Sequence, residues 1–243
     1  MDKRVKFDLI DLSHTIENGL VTYKGLPAPI ICDYLSREDS RKFYAPGTEF
    51  QIGKIEMVAN TGTYIDCPFH RFADGQDLSE VPPEHFMELP GVVISVPYTG
   101  TLAVTADHLR KLDGPRQRGA GGPTEKGAAG PMDGHAVLIH TGWAVHWNTD
   151  NYYENHPFLT EEAAQWLRDC GVRLVGIDSH NIDDTRGNSR PVHTTLLGAG
   201  ILIVEHLCHL EALPPDGFIF SAIPPKFKGV GTFPVRAMAR VEG

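Results

Sequence analysis

The segment "NTGTYIDCPFH" (residues 60–70) decides how the chain folds around its polar groups. Pro68 disfavours helical backbone at Cys67, so the segment is predicted to be extended. Successive side chains of an extended segment point to opposite faces, so Cys67 would point away from the even-numbered polar residues. Those residues would share one face: Asn60, Tyr64, Asp66 and His70. The segment thus predicts a strand that presents a row of polar groups to one pocket.

Strand-like runs recur on both sides of this segment, and helical patterns are few. Apolar and β-branched runs predict strands over residues 5–12, 91–98, 135–143 and 172–178, a long strand or a hairpin over 50–66, and two more strands near the C-terminal end. Helical patterns cover residues 105–114 and 160–171, and a short turn surrounds Leu197. Thr160 is predicted to cap the second of these helices, and Gly171 suits its exit. Many strands with few helices predict an α/β domain with a largely β core and surface helices.

Residues 113–134 interrupt this pattern. The run contains seven glycines and three prolines and has no apolar periodicity. Neither flank looks like a self-sufficient domain. The run is therefore predicted to be a loop inserted into a single domain that spans residues 1–243.

Composition bounds the partners and the compartment. The chain has 31 acidic and 22 basic residues, and a formal net charge of −9 argues against a nucleic-acid partner. No apolar run approaches the ~18–20 residues that span a bilayer, and the first residues lack the apolar core of a secretion signal. The four cysteines are scattered, with no CxxC pair, which is typical of reduced thiols. We therefore expect a cytoplasmic protein that acts on a small molecule and binds no membrane.

More polar residues follow other predicted strands. The strand at 172–178 runs into a polar cluster made of Asp178, His180, Asp183 and Asp184. Glu205 ends an apolar run, where a carboxylate is costly unless it is paired or bound to metal. His193 lies just upstream, and carboxylates combined with histidines suit Zn²⁺ or Mn²⁺. His180 is predicted to line the same pocket and to bind substrate.

Residues 60–70 resemble the HxGTHxDxPxH signature of the cyclase family of metal-dependent hydrolases. The resemblance covers nearly the whole chain. Its other motifs are DLSHTIENG (11–19), HTGWAVHW (140–147), LVGID (174–178), VHTTLLGAGILIVEHL (192–207) and GTFPVRAMARV (231–241). It implies one compact domain of the swivelling β/β/α type, with a β-barrel-like mixed-sheet core and outer helices. It also implies arylformamidase-like hydrolysis of an amide, formamide or lactam in a small aromatic substrate, by a homodimer or homotetramer.

The resemblance assigns roles residue by residue. Asp66, His193 and Glu205 match metal ligands of the family, and His70 matches its catalytic histidine. His70 is expected to take a proton from water and to return it to the leaving nitrogen. One divalent cation, Zn²⁺ or Mn²⁺, is the expected cofactor.

The chain departs from the signature at two positions. Asn60 and Tyr64 stand where the signature has histidines. An Asn oxygen is a weaker ligand for these metals, and a Tyr phenol must lose a proton before it binds strongly. The second metal site of the family is therefore expected to be lost. Tyr64 is expected to donate a hydrogen bond to the developing oxyanion, and Asn60 to orient substrate or water.

Other readings of the same residues stay open. Without metal, Asp66 and His70 form an acid–base pair suited to a lyase or an isomerase. A binding protein that has lost catalysis is a third possibility, although such a protein need not keep all these carboxylates and histidines. Cys67 is expected to be a small apolar filler rather than a nucleophile.

Overall fold

The computed structural model describes residues 7–112 and 132–242. The strands in this part of the chain are β1 (Phe7–Asp11), β2 (Ile30–Leu35), β3 (Ile52–Glu56), β4 (Tyr64–Asp66), β5 (Leu89–Ser95), β6 (Ala103–Val104), β7 (Ala136–His140), β8 (Phe158–Leu159), β9 (Leu174–Ile177), β10 (Leu202–Glu205), β11 (Asp216–Ser221), β12 (Thr232–Pro234) and β13 (Met238–Glu242). The α-helices are α1 (Arg37–Ser40), α2 (Ala106–Leu112), α3 (Glu161–Asp169) and α4 (Pro191–Gly198). Strands outnumber helices, so the α/β prediction is confirmed.

Nine strands form one mixed sheet that curls into half of a barrel. Their order is β1-β13-β11-β5-β7-β9-β10-β4-β12. The central strands β5, β7, β9 and β10 run parallel, and the flanking pairs run antiparallel. The predicted mixed-sheet core with outer helices is therefore confirmed. Two short sheets, β2-β3 and β6-β8, are separate from it.

The two faces of the main sheet pack into two apolar clusters. Ile139 of β7 lies in the cluster that also contains Leu167 of α3 and Leu196 of α4. Its neighbour Leu138 lies in the cluster on the opposite face, together with Phe220 of β11. Because both faces of the central parallel strands are covered, these strands are apolar on both sides. This explains why their sequences read as continuous apolar runs.

Local sequence signals set the ends of the helices. The Thr160 hydroxyl accepts a hydrogen bond from the Ala163 backbone N–H at 3.3 Å, which confirms the predicted cap of α3. Gly171 leaves the helix with a φ of 80°, a backbone conformation that glycine adopts without strain. Pro191 opens α4 at a position where its missing N–H has no intrahelical partner to lose. No helix in the described ranges is long and apolar enough to cross a bilayer.

The predicted strand or hairpin over residues 50–66 is divided in the structure. Its first part, β3, pairs with β2 in a separate two-stranded sheet, whereas β4 enters the main sheet. Gly62 lies between them with a φ of 68°, which interrupts the strand. Ile16 occupies the space beside Gly62, where a Cβ would lie 2.6 Å from the Ile16 side chain. The period-two pattern on which the prediction depended thus ends at Glu56, and the positive φ of Gly62 lies in the irregular segment that leads to β4.

The predicted glycine-rich loop at 113–134 lies largely outside the described residues. Only its last three residues are described, and they form a turn. Met132 is buried in the apolar cluster beside Leu167, and the Gly134 N–H donates to the Gly171 carbonyl at 3.0 Å. The end of this run is thus anchored to the chain segment that follows α3.

Candidate active site

Strand β4 carries two polar side chains on one face, between β10 and β12. Tyr64 lies opposite Glu205 of β10, and Asp66 lies opposite Thr232 of β12. Ile65, between them, points into the apolar cluster on the other face. The predicted alternation therefore holds over β4 and brings the polar residues of three strands together.

Asp66 is completely buried and only partly satisfied. Its Oδ1 accepts a hydrogen bond from the Thr232 hydroxyl at 2.5 Å. Its Oδ2 has no hydrogen-bond partner among the described residues and lies 3.7 Å from His193 Nε2. A buried carboxylate oxygen without a donor is costly, so this atom marks a place for a cation or a proton donor.

His70 reaches the site from a short 3₁₀ helix rather than from an extended strand. Cys67 is extended, as predicted, but Pro68 begins a helical turn that ends at His70. Gly231 lies against the His70 backbone nitrogen so closely that no Cβ would fit there, and this contact packs the turn against β12. The prediction of an extended segment up to residue 70 was therefore wrong, because proline fixes a φ that also suits the first turn of a helix.

The hydrogen bonds of His70 define its tautomer. The Thr232 hydroxyl has one proton, which it donates to Asp66, so it accepts from His70 Nδ1 at 2.7 Å. Nδ1 therefore carries the proton of the neutral ring, and Nε2 keeps a free lone pair. About a third of the His70 side chain is exposed, and it lines the cavity described below. Its Nε2 is therefore available to a ligand, a metal or a water molecule.

His193 is oriented by a carboxylate that the sequence reading left without a role. Asp183 accepts from the backbone N–H groups of Val192 and His193, and also from His193 Nδ1 at 2.6 Å. This leaves Nε2 of the buried His193 facing Asp66 and Glu205, at 3.7 and 3.8 Å. Carboxylates commonly orient metal-binding histidines in this way. The sequence placed Asp183 in the polar cluster after β9 without a specific role. Its role follows from the structure, because the start of α4 brings the His193 imidazole to this carboxylate.

Asp66, His70 and His193 together fit one divalent cation. Each offers one ligand atom, and these atoms all lie within 4.8 Å of one another. The unpartnered Asp66 Oδ2 and the two imidazole nitrogens form a donor set that suits Zn²⁺ or Mn²⁺. The sequence-based ligand set contained Glu205 in place of His70. The structure places Glu205 beside the group, with protein donors on both of its oxygens.

Glu205 is held by three protein donors. Its Oε1 accepts from the Ile182 backbone N–H at 2.6 Å. Its Oε2 accepts from the Tyr64 hydroxyl, and from Asn181 Nδ2 at 3.3 Å. Burial raises the pKa of Glu205 to about 7, although the charge of His193 opposes this shift. Burial and the charge of Glu205 raise the pKa of Tyr64 well above 10, so the phenol keeps its proton.

The Tyr64 contact changes the role expected for this residue. Its hydroxyl donates its only proton to Glu205, so that proton is not directed at an oxyanion in this geometry. The carboxylate of Glu205 attracts the phenol more strongly than a neutral carbonyl oxygen would. Tyr64 thus ties β4 to β10 at a position where the family signature has a histidine.

A cavity of about 270 Å³ opens beside these groups. Five of the predicted site residues line it, namely Asn60, Tyr64, His70, His193 and Glu205. The structure adds five residues that the sequence reading missed, namely Tyr23, Leu26, Arg71, Asn181 and Arg190. Arg71 follows His70 directly, and Asn181 follows the predicted His180. This proximity in sequence was the only signal that could have placed these two residues in the site. The site therefore combines acidic, basic and aromatic side chains.

His180 does not line this cavity, so its predicted role in substrate binding is not supported by the geometry. It is buried among aromatic rings, with ring centroids 4.5 Å from Tyr23 and 5.5 Å from His206. The chain turns after β9, and this turn directs Asn181 to the cavity in place of His180. Cys67 lies in the apolar cluster, and burial raises the pKa of its thiol to about 11, which supports its predicted role as a filler.

These buried histidines make the protein less stable in acid. Burial lowers the pKa of His180 to about 3 and that of His206 well below 6.5. The unfolded chain, with histidine pKa values near 6.5, therefore binds more protons between about pH 3 and 6.5. The stabilisation is complete above pH 6.5 and is lost as the pH falls, by about 1 kcal/mol per histidine between pH 7 and 5.5.

Urea unfolding at pH 7 and 5.5 measures this loss. We expect His180→Phe to reduce the difference in unfolding free energy between the two pH values by about 1 kcal/mol. His135→Asn, on the turn before β7, is the matched control and should leave the difference unchanged. A His180→Phe protein with the wild-type pH dependence would show that this histidine is not held neutral.

Known proteins match this chain over nearly its full length. Residues 10–184 match the Cyclase family model. The kynurenine formamidase of Salinibacter ruber is 25% identical over 96% of this chain and 97% of its own length. The kynurenine formamidase of Geobacillus thermodenitrificans is 29% identical over 96% of this chain and 98% of its own length. The structure of isatin hydrolase A from Labrenzia aggregata has the same fold, with a TM-score of 0.77 and 22% identity, over 98% of this chain and 94% of that chain.

Proposed function

The chain belongs to the cyclase family, as its motifs predict, and we propose that it is a metal-dependent hydrolase of aromatic amides, formamides or lactams. The observation that carries the proposal is the Asp66–His70–His193 group, set beside a cavity with Tyr23 in its wall. The kynurenine formamidases that align with nearly the whole chain support an aryl formamide as substrate. N-formylkynurenine is the proposed representative.

Of the three side chains that can surround a cation, the two buried ones would hold it, and the more exposed His70 would stay free to act as the base. Asp66 supplies the unpartnered Oδ2, and His193 supplies Nε2 in the tautomer that Asp183 enforces. One divalent cation, Zn²⁺ or Mn²⁺, would supply Lewis-acid stabilisation of the charge that develops on the scissile carbonyl oxygen. The donors on Glu205 keep that carboxylate in place next to His193. Since Tyr64 donates to Glu205 where the signature has a histidine, we propose a single metal site.

His70 would move the proton. Its Nε2 carries the free lone pair, and His70 is the most exposed side chain of the group, so this nitrogen can take a proton from the attacking water. Thr232 and Asp66 hold the opposite side of the ring, so the imidazolium that forms is stabilised by a carboxylate 3.8 Å away. The same nitrogen then returns the proton to the leaving nitrogen of the substrate. Asn60 lines the cavity and would orient the substrate through its amide.

Formate release tests this function. The protein is purified without chelator, its metal content is measured, and N-formylkynurenine is supplied with Zn²⁺, Mn²⁺ or a chelator. We expect about one divalent cation per chain, and a fall in turnover of at least about 100-fold on metal removal. Restoring the cation should restore the rate. Absence of formate release, and of isatin ring opening, in every metal state would overturn the proposal.

One observation favours a metal-free lyase or isomerase as the second candidate. Burial alone would lower the pKa of His193, but the hydrogen bond with Asp183 and the carboxylates of Asp66 and Glu205 raise it to about 10. A protonated His193 can therefore neutralise this site without a cation. Metal analysis separates the candidates, because this alternative requires full activity in protein that contains no metal.

Other expectations from the sequence stay predictions. These are assembly as a homodimer or homotetramer, a cytoplasmic location, and the absence of nucleic-acid and membrane partners. Exposed apolar side chains on the β2-β3 sheet, such as Ile30, Tyr34 and Ile55, agree with assembly but identify no partner.

A further inference from the structure

Two arginines line the cavity, and neither has a carboxylate partner in the part of the chain that the structure describes. No carboxylate of residues 7–112 and 132–242 lies within 4.0 Å of the guanidinium of Arg71 or Arg190. The chain as a whole is acidic, with a formal net charge of −9. Two arginines without carboxylate partners at one cavity therefore indicate a site for an anionic ligand. The opposite charges of the site, Asp66 and Glu205, are completely buried, whereas Arg71 is exposed and Arg190 is half-buried.

One nitrogen of the Arg71 guanidinium is hydrogen-bonded within the described chain, and the two terminal nitrogens are not. Its Nε donates to the Thr194 hydroxyl at 3.1 Å, and its guanidinium lies 5.3 Å from the centre of the Phe72 ring. Its two terminal nitrogens have no hydrogen-bond partner among the described residues. Those nitrogens are the pair that a guanidinium offers to a carboxylate in a two-point contact.

Arg190 is fixed by the backbone. Its Nη1 donates to the carbonyls of Asp184, Gly187 and Ser189, at 3.3, 2.9 and 2.7 Å. Within the described chain, its Nε and Nη2 have no partner. Carbonyl oxygens orient the guanidinium but leave its full charge in place. The guanidinium is thus positioned by hydrogen bonds and remains cationic, and its Nε and Nη2 can donate to a ligand.

Thr194 couples the two arginines. Its hydroxyl accepts from Arg71 and donates to the Arg190 carbonyl at 2.7 Å. Thr194, the neighbour of His193 in sequence, therefore bonds the side chain of Arg71 and the backbone of Arg190. Preorganised donors of this kind bind an anion at low entropic cost.

We infer that Arg71 and Arg190 bind a carboxylate of the substrate. The substrate class is then an aromatic amide or formamide that carries a carboxylate, with its scissile bond at Asp66, His70 and His193. This inference rests on the proposed function and names a specificity subsite within it. Charge-assisted hydrogen bonds to a carboxylate contribute about 10- to 100-fold in discrimination.

Two substrates that differ only in the carboxylate test this subsite. N-formylkynurenine carries the carboxylate, and N-formylkynuramine has the same ring, formamide, ketone and amine without it. We expect kcat/KM of the wild type to favour N-formylkynurenine by about 10- to 100-fold. Arg71→Met and Arg190→Met should each reduce this ratio at least about 10-fold, mainly through KM. Arg186→Met is the matched control, because this exposed arginine is paired with Asp184, and it should keep the wild-type ratio.

The outcomes separate the subsite from the proposed function. Equal kcat/KM for both substrates in the wild type, or an unchanged ratio in both arginine variants, would overturn the subsite and leave formamide hydrolysis intact. If neither substrate releases formate, the proposed function fails, and calorimetric binding of kynurenine and kynuramine decides the subsite alone. Kynurenine should then bind at least about 10-fold more tightly to the wild type, and this preference should disappear in both variants.

Discussion

Asp66→Asn is expected to lower kcat/KM for an aryl formamide by at least about 1,000-fold and to remove the bound cation. Asp66 supplies the negative charge of the ligand group, and its Oδ2 has no donor among the described residues. Asparagine keeps the shape and the bond with the Thr232 hydroxyl, but its amide is a much poorer ligand than a carboxylate. Turnover and metal content should therefore fall together, as measured by formate release and elemental analysis.

Asp107→Asn is the matched control for this substitution. Asp107 is exposed on α2, where it pairs with Arg110 at 3.0 Å, and it does not line the cavity. The control should keep the wild-type rate and metal content. Asp66→Asn protein that loses activity and still holds a full complement of metal would show that Asp66 acts in proton transfer. Asp66→Asn protein within about tenfold of the wild-type rate would contradict both roles.

His70→Ala is expected to lower turnover by about 100- to 10,000-fold while most of the metal is kept. Its Nε2 is the free base of the site, and alanine leaves no group to move the proton. Asp66 and His193 remain to bind the cation, with Asp183 still orienting the imidazole. Added imidazole should restore part of the rate, because it can enter the space that the side chain leaves.

Metal content and rescue separate the roles of His70. His140→Ala serves as control, since His140 bonds Ser95 and does not line the cavity, and it should keep the wild-type rate. Loss of the cation in His70→Ala, with no rescue by imidazole, would assign His70 to the metal instead of the proton. Turnover close to that of the wild type would remove it from the mechanism.

The fold was predictable because its signals are local. Apolar and β-branched runs predicted the strands, and Thr160 with Gly171 predicted both ends of α3. Alternation of side chains correctly placed Tyr64 and Asp66 on one face of β4. It failed at Gly62 and after Pro68, where single residues with special backbone preferences replace the strand by a turn and a short helix.

The sequence by itself determined which chemical groups are present: a family signature with two histidines replaced, and carboxylates and histidines at the ends of apolar strands. Only the tertiary structure decided which of them meet. The order of the main sheet places β4 between β10 and β12, so Thr232 reaches Asp66 and Tyr64 reaches Glu205 across more than 140 residues of chain. Asp183 accepts a hydrogen bond from His193 only because α4 begins beside this carboxylate. A pattern along the chain reports the direction of each side chain, whereas hydrogen bonds, tautomers and protonation depend on partners that sheet order and helix packing bring together.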